Sequence, residues 1–384
     1  VPRDDDEAWV GTWTTAPAPS KAGETFDNHT LRMNPRVSIG SDAIRVRVSN
    51  AYGESKLEVG AASVGIRAQG SAIVVGSGRE LTFSGSRSVT VAAGSLVVSD
   101  PVELSVDPLT DLAVSLHLPG RVLPELRITG RYARQVNYLS PPGDFVDSVE
   151  LPVWKITDEW FFLCGVDVLA PSGTGGIVAF GDSLTDANLS THDAHCRWPD
   201  QLARRLVARP GGRSLGVMNQ GLGGNRLLHD LRGDSGLRRF DRDVLAQPGV
   251  THAIVMLGTN DLCNRDGGPD EEVTADQLIG GLHQLALRGQ ARGVEMFGAT
   301  LIPFADQTFM PGAWNPVREG HRIAFNEWIR ETDVLDGVVD FDEALSDPAN
   351  PTRLHADHDC GDGLHPSDAG YCRMGDSIEL DMFG

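Results

Sequence analysis

No stretch constrains this chain more than Ile177-Val178-Ala179-Phe180-Gly181-Asp182-Ser183-Leu184-Thr185-Asp186. Four apolar residues in a row, preceded by Gly173, Gly175 and Gly176, suit a strand buried on both faces, as in a parallel sheet. Gly181 and Asp182 permit a sharp exit and leave Ser183 at the carboxyl end of that strand. In open α/β sheets this edge carries the chemistry. A serine in such a turn also serves ordinary turn geometry, so Ser183 alone assigns nothing.

Three further stretches follow in order. Val217-Met218-Asn219-Gln220-Gly221-Leu222-Gly223-Gly224-Asn225 reads as a second strand running into glycines, which let backbone amides approach a ligand. Ala253-Ile254-Val255-Met256-Leu257-Gly258-Thr259-Asn260-Asp261 is a third strand whose turn presents a side-chain amide. In Asp362-Gly363-Leu364-His365-Pro366, an Asp three residues before a His can hold the imidazole Nδ1–H and leave Nε2 free as a base. Read singly, each is also a plain turn or cap.

Together the four stretches resemble the SGNH, or GDSL-type, serine hydrolase family, over roughly Gly176 to the C-terminus. The resemblance implies Ser183 as nucleophile, His365 as general base and Asp362 as its orienting carboxylate. It implies an oxyanion hole of the Ser183 amide, the Gly224 amide and the Asn260 side chain, with Gly223 as the alternative to Gly224. The order Ser, Asp, His also occurs in α/β-hydrolases. Their elbow is Gly-x-Ser-x-Gly, and Thr185 holds the second glycine position here.

The expected fold of this half is α/β, a flavodoxin-like parallel sheet with helices on both faces. Trp198 to Leu206 begins a helix with Pro199 in its first turn, and Thr274 caps another with Leu278, Leu282 and Leu285 as its buried stripe. Val294 to Leu301 and Val338 to Phe341 read as further strands, and Arg318 to Arg330 as a helix with Ile323, Trp328 and Ile329 apolar. Ser367 caps the last helix.

Residues 9–169 read differently, as an all-β sandwich or jelly-roll-like domain. Ile44-Arg45-Val46-Arg47-Val48 alternates strictly. Further strands are expected at Leu57–Val59, Ala72–Val75, Val89–Val91, Leu96–Val98, Leu112–Leu118 and Trp160–Leu163. Trp9, Trp13 and Tyr52 are candidates either for stacking on sugar rings or for filling the core. Residues 170–176 read as a linker and 177–384 as the hydrolase domain.

Across 384 residues the net charge is −20, which argues against nucleic acid and anionic membranes as partners. No apolar run approaches the ~20 residues of a membrane-spanning helix. The acidic run Asp4 to Glu7 reads as a solvated tail. The five cysteines are expected to form Cys196–Cys263 and Cys360–Cys372 disulfides, with Cys164 free. That pairing suits an oxidising compartment, and with the resemblance it implies a secreted or extracytoplasmic protein. His192, Asp193, His195 and Cys196, and His355, Asp357, His358, Asp359 and Cys360, look like metal ligands but read better as polar loops, so no metal is expected.

The resemblance implies a serine esterase that needs no cofactor and acts on a small-molecule or carbohydrate acyl ester. No long apolar stretch suggests a lipid lid, which favours short-chain acyl or O-acetyl esters. The alternatives are a lipid esterase or lysophospholipase, and a carbohydrate-binding protein whose hydrolase-like half is inert. The sequence carries no signal of oligomeric state.

Overall fold

A computed structural model describes residues 6–19, 25–122, 126–127 and 133–384. Asp4 and Asp5 lie outside the described residues, and Glu7 already opens a strand, Glu7–Thr14. The chain divides into two compact units, residues 1–174 and 175–384. The glycine-rich segment between them is less of a linker than its composition suggests. Ala170 and Pro171 end the strand Leu163–Pro171, and Gly175 and Gly176 begin the next. These two glycines answer to packing: a Cβ on Gly175 would sit 2.4 Å from Thr251 Oγ1, and one on Gly176 2.6 Å from Met218 Cε.

The first unit is built on two larger antiparallel sheets, with two short two-stranded pairs beside them among the described residues. One orders Glu7–Thr14, Leu163–Pro171, Ser41–Ser49 and Val102–Val106, with Leu96–Val98 also pairing Ser41–Ser49. The other centres on Phe26–Met33 and Leu112–Val122. Val46 and Val168 from the first and Leu31 and Val114 from the second meet in one core, the arrangement of stacked sheets. The alternation at 44–48 is realised: Ile44, Val46 and Val48 are fully buried, while Arg45 and Arg47 reach the buried Asp167 at 3.0 and 3.1 Å.

Two expected strands fail. Ala72 and Ile73 make only isolated bridges, and with Val74 45% and Val75 82% exposed only Ile73 of the run is buried, so no alternating face forms. At 160–163 the strand starts only at Leu163, because Phe162 adopts φ 64°. Trp160 and Phe161 are core aromatics, edge-on to Trp13 and Phe26. Trp13 and Tyr52 pack against the same core, and Trp9 lies under the Arg45 guanidinium, 4.4 Å from ring centroid to Cζ.

The second unit is built on five parallel strands: β1 Gly175–Gly181, β2 Leu215–Gly221, β3 Val250–Met256, β4 Glu295–Ala299 and β5 Gly337–Val339. Their order is β2-β1-β3-β4-β5, with every pairing parallel. This is the flavodoxin-like order, whose switch point lies between β1 and β3. The helices are α1 Ser183–Asp186, α2 Trp198–Ala208, α3 Gly236–Phe240, α4 Thr259–Leu262, α5 Ala275–Gln290, α6 Pro316–Glu331, α7 Phe341–Leu345 and α8 Asp368–Ser377. Val178 and Phe180 of β1 pack with Phe240 of α3, Leu278, Leu282 and Leu285 of α5, and Phe325 and Ile329 of α6. A second group packs together as α2 on α8 and α8 on α7, with α2 lying on β2. The α6 stripe differs from expectation in one position: Ile323 is 43% exposed and Phe325 takes the core, one turn before Ile329.

Candidate active site

Ser183, Gly224 and Asn260 each sit just beyond the carboxyl end of a strand. Asp182 follows β1 and caps α1, accepting a hydrogen bond from the Leu184 amide at 2.9 Å. Ser183 is the first residue of α1. A side chain at Gly181 could not be accommodated: its Cβ would fall 2.1 Å from Thr185 Oγ1. Gly224 lies in the turn after β2 with φ +77°, where any other residue is strained. Asn260 belongs to α4, directly after β3.

His365 comes from the loop that leads into α8, not from the end of a sheet strand. That loop is held by its own carboxylates. Asp359 Oδ1 accepts from the Gly361 and Gly363 amides at 2.9 and 3.0 Å, and Asp362 Oδ1 accepts from the Leu364 and His365 amides at 2.9 and 2.7 Å. Gly363, at φ +71°, lets the loop pass within reach of the segment after β4, where a Cβ would be 2.4 Å from Asp306 O.

The four segments converge. Ser183 Oγ lies 3.0 Å from His365 Nε2, and His365 Nδ1–H donates to Asp362 Oδ2 at 2.7 Å. His365 is 1% exposed, so its imidazole is held in a dry site. Burial would raise the Asp362 carboxyl, but the hydrogen bonds and charge of His365, with the Leu364 amide, outweigh it and hold the group at about 2. The carboxylate therefore stays ionised and fixes the tautomer with its free lone pair on Nε2. Such a constellation can take a proton from Ser183 as it attacks a carbonyl and return it to a leaving alcohol.

Three groups that the sequence reading passed over set this geometry. Asn260 Nδ2 donates to Asp182 Oδ2 at 2.8 Å, which pins the amide and leaves its second N–H for a ligand. Burial pushes Asp182 up to about 6, against the pull of Leu184, His365 and Asn260. Asp261, also raised by burial to about 6, accepts from the Leu227 and Leu228 amides at 2.6 and 2.9 Å, tying α4 to the segment after the Gly-Gly turn. Arg239 of α3 is fully buried. It donates to Gly181 O at 2.8 Å, Gln220 O at 2.9 Å and Asn225 Oδ1 at 2.9 Å, and pairs with Asp243 at 3.0 Å. One guanidinium thus binds the ends of β1 and β2 and the glycine turn. The Arg239/Asp243 spacing of four within a helical run is the one local signal that could have flagged it.

The cysteines depart from expectation: all five are free, and neither Cys196–Cys263 nor Cys360–Cys372 is bonded. Cys263, at the C-cap of α4, is buried in the core with its thiol pushed up to about 12, while Cys196 neighbours Asp368, Cys372 and Arg204. Cys360 lies against Asp362, whereas Cys372 on α8 neighbours Arg204 and Asp376. Proximity of two loops to one sheet edge says nothing of where their Cβ vectors point. In the second His/Asp-rich segment the His355 and His358 rings lie 5.3 Å apart. Among the described residues, the one group of three or more such side chains with ligand atoms within 4.8 Å of one another is Asp359, Cys360 and Asp362, which the loop already uses.

Residues 179–373 match the GDSL-like Lipase/Acylhydrolase family. No curated protein matches the chain. Similar solved structures include an acetylxylan esterase from Geobacillus stearothermophilus, at 19% identity and TM-score 0.41 over 55% of this chain and 94% of that one. They also include a carbohydrate acetylesterase from Sinorhizobium meliloti, at 18% identity and TM-score 0.41 over 54% of this chain and 97% of that one. A GDSL-like lipase from Bacteroides thetaiotaomicron matches at 16% identity and TM-score 0.41, over 54% and 87%.

Proposed function

The chain belongs to the GDSL-like lipase/acylhydrolase family and is a carboxylic ester hydrolase, and from that premise we propose that it cleaves short-chain acyl esters, O-acetyl groups on carbohydrates among them. Ser183 is the nucleophile, His365 the base and Asp362 its orienting partner. The single observation that carries this reading is the chain of contacts Ser183 Oγ to His365 Nε2 at 3.0 Å and His365 Nδ1 to Asp362 at 2.7 Å.

The steps follow from those roles. His365 Nε2 takes the Ser183 proton as Oγ attacks the ester carbonyl, and Asp362 stabilises the imidazolium that results. The tetrahedral oxyanion accepts from the Ser183 amide, the Gly224 amide and Asn260 Nδ2, donors that need no reorganisation during the reaction. The imidazolium gives its proton to the departing alcohol oxygen. Water, deprotonated by the same imidazole, then attacks the acyl carbon, and the imidazolium returns the proton to Ser183 Oγ as the acid departs.

Lipid esters are disfavoured by what lines the cleft beside the site. It measures about 420 Å³ and sets Arg265, Asp266 and Arg318 beside Phe309 and Met310. A long alkyl chain there would strip water from charged groups without replacing their hydrogen bonds. The test is hydrolysis of p-nitrophenyl esters from acetate to laurate by the wild type and Ser183→Ala. The expected result is turnover that falls with chain length and is lost in the variant. Activity that survives Ser183→Ala would remove the serine mechanism, and a maximum at laurate would replace the short-chain reading with a lipid one.

A further inference from the structure

Arg265 stands in the wall of that cleft with a donor unused. Its side chain is 14% exposed, and its Nε is buried without a hydrogen-bond partner. Nη1 reaches Met310 Sδ at 3.8 Å. The nearest carboxylate, Asp266, is 4.0 Å away and is already bound by Arg232 Nε at 2.6 Å. Arg318, the other arginine of the cleft, is engaged by Glu272 and by Ala313 O. Leaving a guanidinium N–H desolvated and unpaired is costly, and ligand-binding sites are where such a cost is offset by the ligand.

Its position is equally specific. Arg265 Nε lies 3.4 Å from where a Cβ on Gly224 would be, beside the glycine turn. On the other side the guanidinium covers the face of Phe309, 4.6 Å from Cζ to the ring centroid. The Phe309 ring in turn meets the His365 imidazole edge-on at 5.8 Å. Phe309 and then Arg265 thus lead outward from the His365 ring.

We propose that Arg265 binds a carboxylate carried on the alcohol portion of the ester, so that the preferred substrates are acyl esters of hydroxy acids or acidic sugars. This rests on the esterase reading above. Nε–H and an Nη–H on one edge of the guanidinium match the two oxygens of a planar carboxylate. A dianionic phosphate is disfavoured by Asp266 at 4.0 Å. In a chain of net charge −20, the Arg265 guanidinium, with Asp266 already paired to Arg232, also gives an anion the local attraction it needs to approach.

The test compares 4-acetoxybenzoate with its neutral twin 4-acetoxybenzamide, and p-nitrophenyl hemisuccinate with p-nitrophenyl butyrate, for the wild type, Arg265→Met and Arg265→Lys. In the wild type, kcat/KM should favour 4-acetoxybenzoate over the benzamide. Arg265→Met should cut that ratio about tenfold or more, through KM, and Arg265→Lys should restore part of it. Added salt should weaken the wild-type preference. An unchanged ratio in Arg265→Met overturns the proposal. A preference for hemisuccinate that depends on Arg265 overturns its alcohol-side placement. If the wild type turns over none of these esters, the esterase reading fails. Calorimetric binding of 4-acetoxybenzoate to Ser183→Ala, with and without Arg265→Met, then decides on Arg265: tenfold weaker binding sustains the carboxylate site and equal binding removes it.

Discussion

At the scale of single residues the site depends on donors and on proton positions. Asn260→Ala should lower kcat by about a hundredfold or more, roughly 3 kcal/mol of oxyanion stabilisation, with little change in KM. Steady-state kinetics on p-nitrophenyl acetate reads this directly, and an unaffected kcat would take Asn260 out of the oxyanion hole. Asp362→Asn should cost about 10⁴ in kcat, because an amide does not enforce the tautomer. The carboxyls also shape stability against pH, with opposite signs. Asp362 is depressed to about 2 in the fold, so its contribution is present above the ordinary carboxyl range and is lost as pH falls from about 4 to about 2. Asp261 is raised to about 6, so the folded state holds its proton longer than the unfolded chain does. Stability therefore declines as pH rises from about 4 to about 6. In thermal melts across this range, Asp362→Asn should flatten the acid limb and Asp261→Asn the limb between about 4 and 6. Curves parallel to the wild type would refute both assignments.

At the scale of elements, the strand ends are aligned by Arg239. Its guanidinium serves the ends of β1 and β2 and the turn that carries Gly224. Arg239→Met leaves Asp243 buried and the two strand-end carbonyls without that donor, which should cost about 3–5 kcal/mol in urea unfolding. A loss under 1 kcal/mol would show the ends are held by the sheet alone. The strands β1 and β3 were legible in sequence because each carries a continuous apolar run, Ile177 to Phe180 and Ala253 to Leu257, closed by glycine. The strands of the first unit were less so. Phe26–Met33 carries Asp27, Asn28, His29, Thr30 and Arg32, and its apolar face shows only once Leu31 and Met33 are set against Val114. Arg32 is buried because Ser71, Ser115 and Ser148 supply its acceptors, none of them near in sequence.

At the scale of the molecule, each unit has its own apolar core, and every described contact of the site lies in residues 175–384. That segment expressed alone should keep Ser183-dependent hydrolysis of p-nitrophenyl acetate, and its absence would mean the β-rich unit completes the site. Alkylation without reduction, read by mass spectrometry, should find five free thiols. Recovery of a Cys196–Cys263 or Cys360–Cys372 peptide would contradict the separate environments of those residues.

The amino-acid sequence was sufficient for the parallel α/β arrangement of residues 175–384 and, through it, for which segments share its carboxyl edge. Parallel strands joined by right-handed crossovers bring all their carboxyl ends to one edge, so Ser183, Gly224 and Asn260 had to meet there once each was seen to follow a strand. Local spacing likewise joined Asp362 to His365. What the chain could not disclose in one dimension is where side chains point after distant segments pack. The Asp182 carboxylate that aims the Asn260 amide, the span of Arg239 across two strand ends, the parting of the four cysteines and the unpaired edge of Arg265 are all of this kind. Each is decided by contacts between segments tens of residues apart, and a difference of one rotamer or one helical turn in any of them would have given another answer.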